Sequence, residues 1–267
     1  MIAALFFAAL LCGAATPPPT TGAPPVRSAV QDPPQDDRAD VKELLKKLAG
    51  HAGARGKEDR EAVAVIDQLV QVYGGCGPKD KAAIVKGLDG VFKEKRQVDD
   101  NGVRQNQMYL AAATALGEMG PDSVDVLLSW IGNKSHSSDI PLQELLIRKL
   151  GKIHDPRGLK PLLKLLDDHE PKIQGAACEA LASYDGSALA ERKQIFEELL
   201  KLLMETKNEL DANPTDPIPR QRYDVISAPI ITSLQRLSRH QEQDPQEWQH
   251  WWNKNKKEDW DKEEKGS

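Results

Sequence analysis

The sequence predicts an all-α fold: an α-solenoid of about five stacked helical hairpins, closed by a Trp-rich C-terminal capping helix. Three observations carry this prediction. From Asp40 onward apolar residues recur at helical spacing, and Gly, Pro or Asp breaks each run. A short Leu-centred block recurs, its Leu116, Leu150 and Leu181 lying 34 and then 31 residues apart. No alternating β-branched run flanked by turn residues interrupts the pattern.

The chain opens on an apolar stretch, Met1 to Ala15, too short to cross a bilayer but suited to a signal-peptide core. It ends in small residues, with Ala15 as the last residue before a cut and Gly13 at the third position back. No Lys or Arg precedes the apolar run. Lipid attachment at Cys12 is the weaker reading, because Leu11 stands where a small residue normally precedes a modified Cys. Residues 16–38 follow as a Pro-rich linker (Pro17, Pro18, Pro19, Pro24, Pro25, Pro33, Pro34), too polar to offset its ordering entropy and expected to be disordered.

The solenoid is expected over 39–240, as hairpins at about 40–74, 78–119, 121–154, 156–185 and 187–240. Leu44, Leu45 and Leu48 mark the first helix, and Val65, Ile66, Leu69 and Tyr73 the second. Ala115-Leu116-Gly117-Glu118-Met119-Gly120-Pro121 precedes a helix with Val126, Leu127, Leu128 and Ile131. Leu150-Gly151-Lys152-Ile153-His154-Asp155-Pro156 precedes one with Leu159, Leu162, Leu163 and Leu166. Ala180-Leu181-Ala182 ends a third Ala-rich helix before the long run through Ile195, Phe196 and Leu199. Small residues before Leu116 and Leu181 (Ala111, Ala112, Ala113, Ala115; Ala176, Ala177, Ala180) let one helix approach its partner closely. Gly at the helix end is expected to supply a left-handed C-cap, and Pro121 or Pro156 to start the next helix. In the last hairpin Pro229 is expected to kink the second helix. Asp244 and Pro245 open a final helix within 241–262, and 263–267 reads as a disordered tail.

This pattern resembles the short HEAT-like repeat of bacterial proteins, the type also found in phycobilisome lyases, and the match is good from about Val103 to Asp185. The resemblance implies a solenoid, and in one relative a di-iron hydroxylase whose His-Glu pairs precede the glycine. Carried over, those pairs fall on Leu110-Ala111, Glu144-Leu145 and Gly175-Ala176, none of them His-Glu. The chain's His-Glu dipeptide, His169-Glu170, lies out of that register, so no metal or other cofactor is expected. A lyase-type activity stays open as the alternative.

Other chemistry is sparse. The six histidines (His51, His136, His154, His169, His240, His250) sit among turns and helix ends and read as solvated or terminal partners. Gly74-Gly75-Cys76-Gly77-Pro78 lacks the Gly-Lys-Ser/Thr ending of a phosphate loop. Cys76 and Cys178 fall in different hairpins and are expected as free thiols, Cys178 buried and Cys76 in a loop.

The second helix of each hairpin is expected to line a concave face. Its outward positions include Gln107 and Thr114, Glu144 and Arg148, and Lys172 and Glu179, a row of mixed sign. With 36 Lys+Arg against 41 Asp+Glu the chain is mildly acidic, which disfavours nucleic acid and leaves a protein or peptide as the partner there. On the final helix Trp248, Trp251 and Trp252 share a face with Trp260 near it; this reads as a cap or as a surface for a partner or glycan. The partner-contact set is therefore Gln107, Glu144, Arg148, Lys172, Glu179, Trp248, Trp251 and Trp252. The whole reads as a non-catalytic interaction scaffold of the bacterial cell envelope, monomeric, exported to the periplasm or beyond. Glycan or cell-wall binding through the Trp helix is the other alternative.

Overall fold

The computed structural model describes residues 35–96 and 105–262. The expected signal peptide, Cys12, the linker up to residue 34 and the tail 263–267 lie outside the described residues. Eleven α-helices occur among the described residues: α1 (Ala39–Gly53), α2 (Asp59–Tyr73), α3 (Pro78–Val91), α4 (Gln107–Glu118), α5 (Val124–Trp130), α6 (Ile140–Ile153), α7 (Pro156–Lys164), α8 (Pro171–Ala182), α9 (Leu189–Ala212), α10 (Pro217–Ser238) and α11 (Pro245–Asn255). None is long and apolar enough to cross a membrane. There is no strand among these residues, only one isolated bridge between Gln35 and Cys76.

The helices form five hairpins, α1–α2 through α9–α10, followed by α11. The second helices α2, α4, α6, α8 and α10 pack each against the next and make a continuous spine. This is the stacking the repeat demands: a hairpin buries its second apolar face only against a neighbour. The landmark residues Leu116, Leu150 and Leu181 are fully buried in it.

Four helix starts share an acid-proline pair. Asp155, Glu170, Asp216 and Asp244 each stand before a proline and accept a hydrogen bond from a backbone N–H of the first turn. The Asp155 cap does more. Arg157 donates to both of its carboxylate oxygens, and also to Asp125 Oδ1 at 3.0 Å and the Pro121 carbonyl at 2.7 Å, so one guanidinium ties α7 to the turn before α5. Hydrogen bonds from the Arg157 side chain, then from its backbone N–H, hold the Asp155 carboxyl down to about 2. That lies below the ordinary value of about 3.9, so its contribution is complete above about pH 4 and is lost as pH falls toward 2. Asp155→Asn is expected to lower the melting temperature at neutral pH and to converge with the native chain near the acid end. A difference that persists undiminished in acid would contradict this.

The expected left-handed glycine follows α4, as Gly120, while His154 takes that place after α6, at φ 67° and 63°. Gly117 and Gly151 lie inside α4 and α6 and do not adopt positive φ. What requires glycine at 117 and 151 is close approach. A Cβ on Gly151 would stand 2.5 Å from the Ala180 Cα, and one on Gly117 2.8 Å from the Lys149 Cβ. Pro229 sits inside α10, which continues through it as one element to Ser238.

Residues 35–38, expected as the end of the linker, are instead pinned to the second hairpin. Gln35 exchanges backbone hydrogen bonds with Gly75 and Gly77 at 3.3 and 2.7 Å. The nearly buried Asp80 carboxylate accepts from the Asp37 and Arg38 backbone N–H groups at 3.2 and 3.0 Å. In return Asp36 Oδ1 accepts from the Lys79 and Asp80 N–H groups, capping α3 from a distant part of the chain. Cys76 lies in the loop between α2 and α3, as expected, and is buried there. Cys178 is buried as well, and both thiols are free, with burial pushing each above its ordinary value.

Candidate partner-binding face

Successive spine helices carry the predicted polar row. Gln107 is exposed at the start of α4 and Thr114 is half-buried further along it. On α6 Glu144 is half-buried and Arg148 exposed; on α8 both Lys172 and Glu179 are exposed. The structure brings three of these together. Arg148 Nε donates to Glu179 Oε2 at 2.5 Å, bridging α6 and α8, and Arg148 Nη2 donates to Glu144 Oε1 at 3.1 Å. The Glu179 hydrogen bond, with both carboxylates nearby, raises the Arg148 pKa. Three charged groups that the sequence presents separately thus form one network across the seam between hairpins.

The tryptophans are placed otherwise than a contact surface requires. Trp248 is fully buried and Trp252 is 8% exposed, so neither faces a partner; Trp251 is half-buried. All four rings of the tail converge on Phe196 of α9, with centroid distances of 5.7, 5.4, 5.1 and 5.3 Å for Trp248, Trp251, Trp252 and Trp260. His240 stacks on Trp251 at 5.2 Å. Arg192, 1% exposed, donates to the Leu237 carbonyl and to Asp261 Oδ2, latching the segment after α11 onto α9 and α10. The tail is a cap, because so much aromatic surface is stabler against the exposed end of the stack than in water. This corrects the inclusion of Trp248 and Trp252 among partner contacts, while Trp251 and Trp260 stay half-buried.

One histidine departs from the solvated reading. His136 is 2% exposed, set among Tyr109, Trp130 and Phe92 at 4.7, 5.5 and 6.2 Å. Its Nε2 donates to the Phe92 carbonyl at 2.8 Å, while Nδ1 is buried without a partner. Trp130 Nε1 donates to Asp89 Oδ1 at 2.8 Å, so this cluster joins the second and third hairpins. Its members are scattered in sequence, and no spacing marks them as neighbours.

For metal chemistry, no three His, Cys, Asp or Glu side chains among the described residues stand close enough to hold an ion. His169 is almost wholly exposed, and Glu170 serves as the N-cap of α8.

Comparison with known proteins gives the same architecture. Residues 135–202, from the loop before α6 into α9, match the family described as HEAT repeats. Over 114 residues the chain is 32% identical to the bilin biosynthesis protein PecE of Mastigocladus laminosus, covering 42% of this chain and 37% of that protein. This chain therefore spans little more than a third of that relative's length. No solved structure matches.

Proposed function

We propose that this chain, whose residues 135–202 are HEAT repeats, is a non-catalytic scaffold that binds a protein or peptide partner and works after export, in the bacterial cell envelope. The observation that carries the reading is the row across α4, α6 and α8: solvent-accessible, mixed in sign, and organised by the Arg148–Glu179 bridge. Mixed charge of this kind sets register and rejects wrong partners more than it adds raw affinity. The apolar run at 1–15 supports the export element, and N-terminal sequencing of the mature protein is expected to start at Thr16.

The test is reversal of the bridge. An exposed ion pair contributes less than about 1 kcal/mol to stability, so Arg148→Glu with Glu179→Arg leaves the fold and its melting temperature intact. The same double change inverts the charge pattern that the partner meets. Capture of the partner from envelope extract by the full chain is expected to fall about tenfold. Undiminished capture would sink the reading.

The likeness to a bilin biosynthesis protein favours a second reading, an enzyme acting on a bilin. Mixing the full chain with a bilin decides between them: an unchanged visible spectrum favours the scaffold, a shifted one the enzyme.

A further inference from the structure

Between the third and fourth hairpins lies a cavity of about 470 Å³. Its floor is aliphatic: Ile131, Ile140, Ile147, Leu165 and Ile173. Gln143, 3% exposed, forms one wall and is fully engaged there. Its Oε1 accepts from the Gly132 N–H at 2.7 Å, and its Nε2 donates to the Trp130 and His136 carbonyls, both at 3.2 Å. A buried amide so spent holds the cavity open as a built feature of the joint. Gly132, at φ 69°, turns the chain at its edge.

The mouth is acidic. Asp168 and Glu170 line it, and the exposed Asp167 adjoins them. Among the described residues none of these three forms an ion pair with Lys or Arg; Asp168 Oδ1 accepts from the Glu170 N–H at 2.9 Å and lies 3.5 Å from the His169 ring, and Glu170 Oε1 accepts from the Lys172 N–H at 3.3 Å. Elsewhere on the chain Glu144, Asp155, Glu179, Asp185, Glu209 and Asp261 each meet an arginine. Carboxylates with no Lys or Arg partner around an aliphatic hollow complement one kind of ligand: an aliphatic group beside a fixed positive charge. Two members of the row described above neighbour the lining in sequence: Glu144 follows Gln143 on α6 and Lys172 precedes Ile173 on α8.

We propose that this cavity anchors the partner through a peptide segment carrying a Leu-type or Ile-type side chain followed by Lys or Arg. The inference rests on the scaffold reading and names the chemistry of its partner. The aliphatic side chain fills the floor, and the cation sits among Asp167, Asp168 and Glu170.

The probe is the peptide acetyl-Gly-Leu-Lys-Arg-Gly-amide, titrated into the full chain with isoleucine methyls labelled for NMR. The methyls of Ile131, Ile140, Ile147 and Ile173 are expected to shift saturably, with a Kd of about 1 mM or below. Asp167→Asn with Asp168→Asn and Glu170→Gln, the last keeping a capping oxygen, is expected to weaken binding about tenfold. Ile173→Phe, which fills the hollow, is expected to abolish the shifts with helicity retained. Methyls that do not move overturn the proposal. So does equal binding of acetyl-Gly-Leu-Glu-Glu-Gly-amide or acetyl-Gly-Ser-Lys-Arg-Gly-amide, or binding undiminished by the neutralised mouth. If partner capture needs the Arg148–Glu179 bridge while the methyls stay still, the cavity inference fails and the scaffold stands. If the peptide binds but the charge-reversed chain captures normally, the row fails and the cavity stands.

Discussion

Phe196→Ala is expected to lower stability by about 3–5 kcal/mol and to move tryptophan emission to longer wavelength. Phe196 is fully buried on α9 and touches four of the chain's five tryptophans. Truncation removes the ring's own burial, leaves a cavity, and loses several aromatic pairs that each contribute about 0.5–1.5 kcal/mol beyond their area. Little else replaces that centre. Arg192 still holds Asp261 at 2.6 Å, Lys193 still reaches the Glu258 carbonyl at 2.5 Å, and the Lys193 ammonium lies 5.4 Å from the Trp260 ring. These are contacts at the margin of the cap. Hydration therefore reaches Trp248 and Trp252 first, while the hairpins ahead of α9 keep their helicity. Denaturant melts followed by circular dichroism and by tryptophan emission check this. A loss below about 1 kcal/mol with unshifted emission would mean that Phe196 does not hold the cap.

The part of this architecture that can be read from the sequence is the part set by neighbours along the chain. Helical spacing marks helices such as α1, α2, α5, α7 and α9, and acid-proline pairs such as Asp155-Pro156 and Asp244-Pro245 mark where helices begin, because a cap is satisfied within its own first turn. The Trp cluster is visible as a composition, and its need for burial follows from its area alone. What escapes the sequence depends on distant partners. Asp36 reads as linker, yet it caps α3 from more than 40 positions away. His136 reads as a turn residue, yet Phe92, Tyr109 and Trp130 close around it from three different elements. The acidic turn at Asp167, Asp168 and Glu170 draws no functional reading from the sequence. Only the fold sets it at the mouth of an aliphatic hollow. The row of Glu144, Arg148 and Glu179 lies between these cases: helical register predicts its direction, and the stacking of α6 on α8 makes it a network.

Gly151→Ala and Gly50→Ala are expected to change stability in opposite directions, although both replace a helical glycine. In an open helix position the exchange stabilises by about 0.5–1 kcal/mol, because alanine restricts the unfolded backbone and glycine does not. Gly50 is such a position, exposed on α1, with nothing within 4 Å of an added Cβ. At Gly151 the same methyl would stand 2.5 Å from the Cα and Cβ of Ala180 and 2.9 Å from its carbonyl oxygen. Those are atoms of the facing helix itself, so α6 and α8 must move apart. Overpacking of this kind costs about 1–3 kcal/mol and outweighs the propensity gain. The displacement also reaches the surface, since Arg148 lies one turn before Gly151 and Glu179 is next to Ala180. A wider seam lengthens the 2.5 Å bridge between them. Gly151→Ala is thus expected to lower the urea midpoint and to weaken partner capture together, while Gly50→Ala raises the midpoint and leaves capture alone. Equal gains from both substitutions would show that the repeat's glycine is not what sets the distance between hairpins, and hence not what sets the spacing of the row.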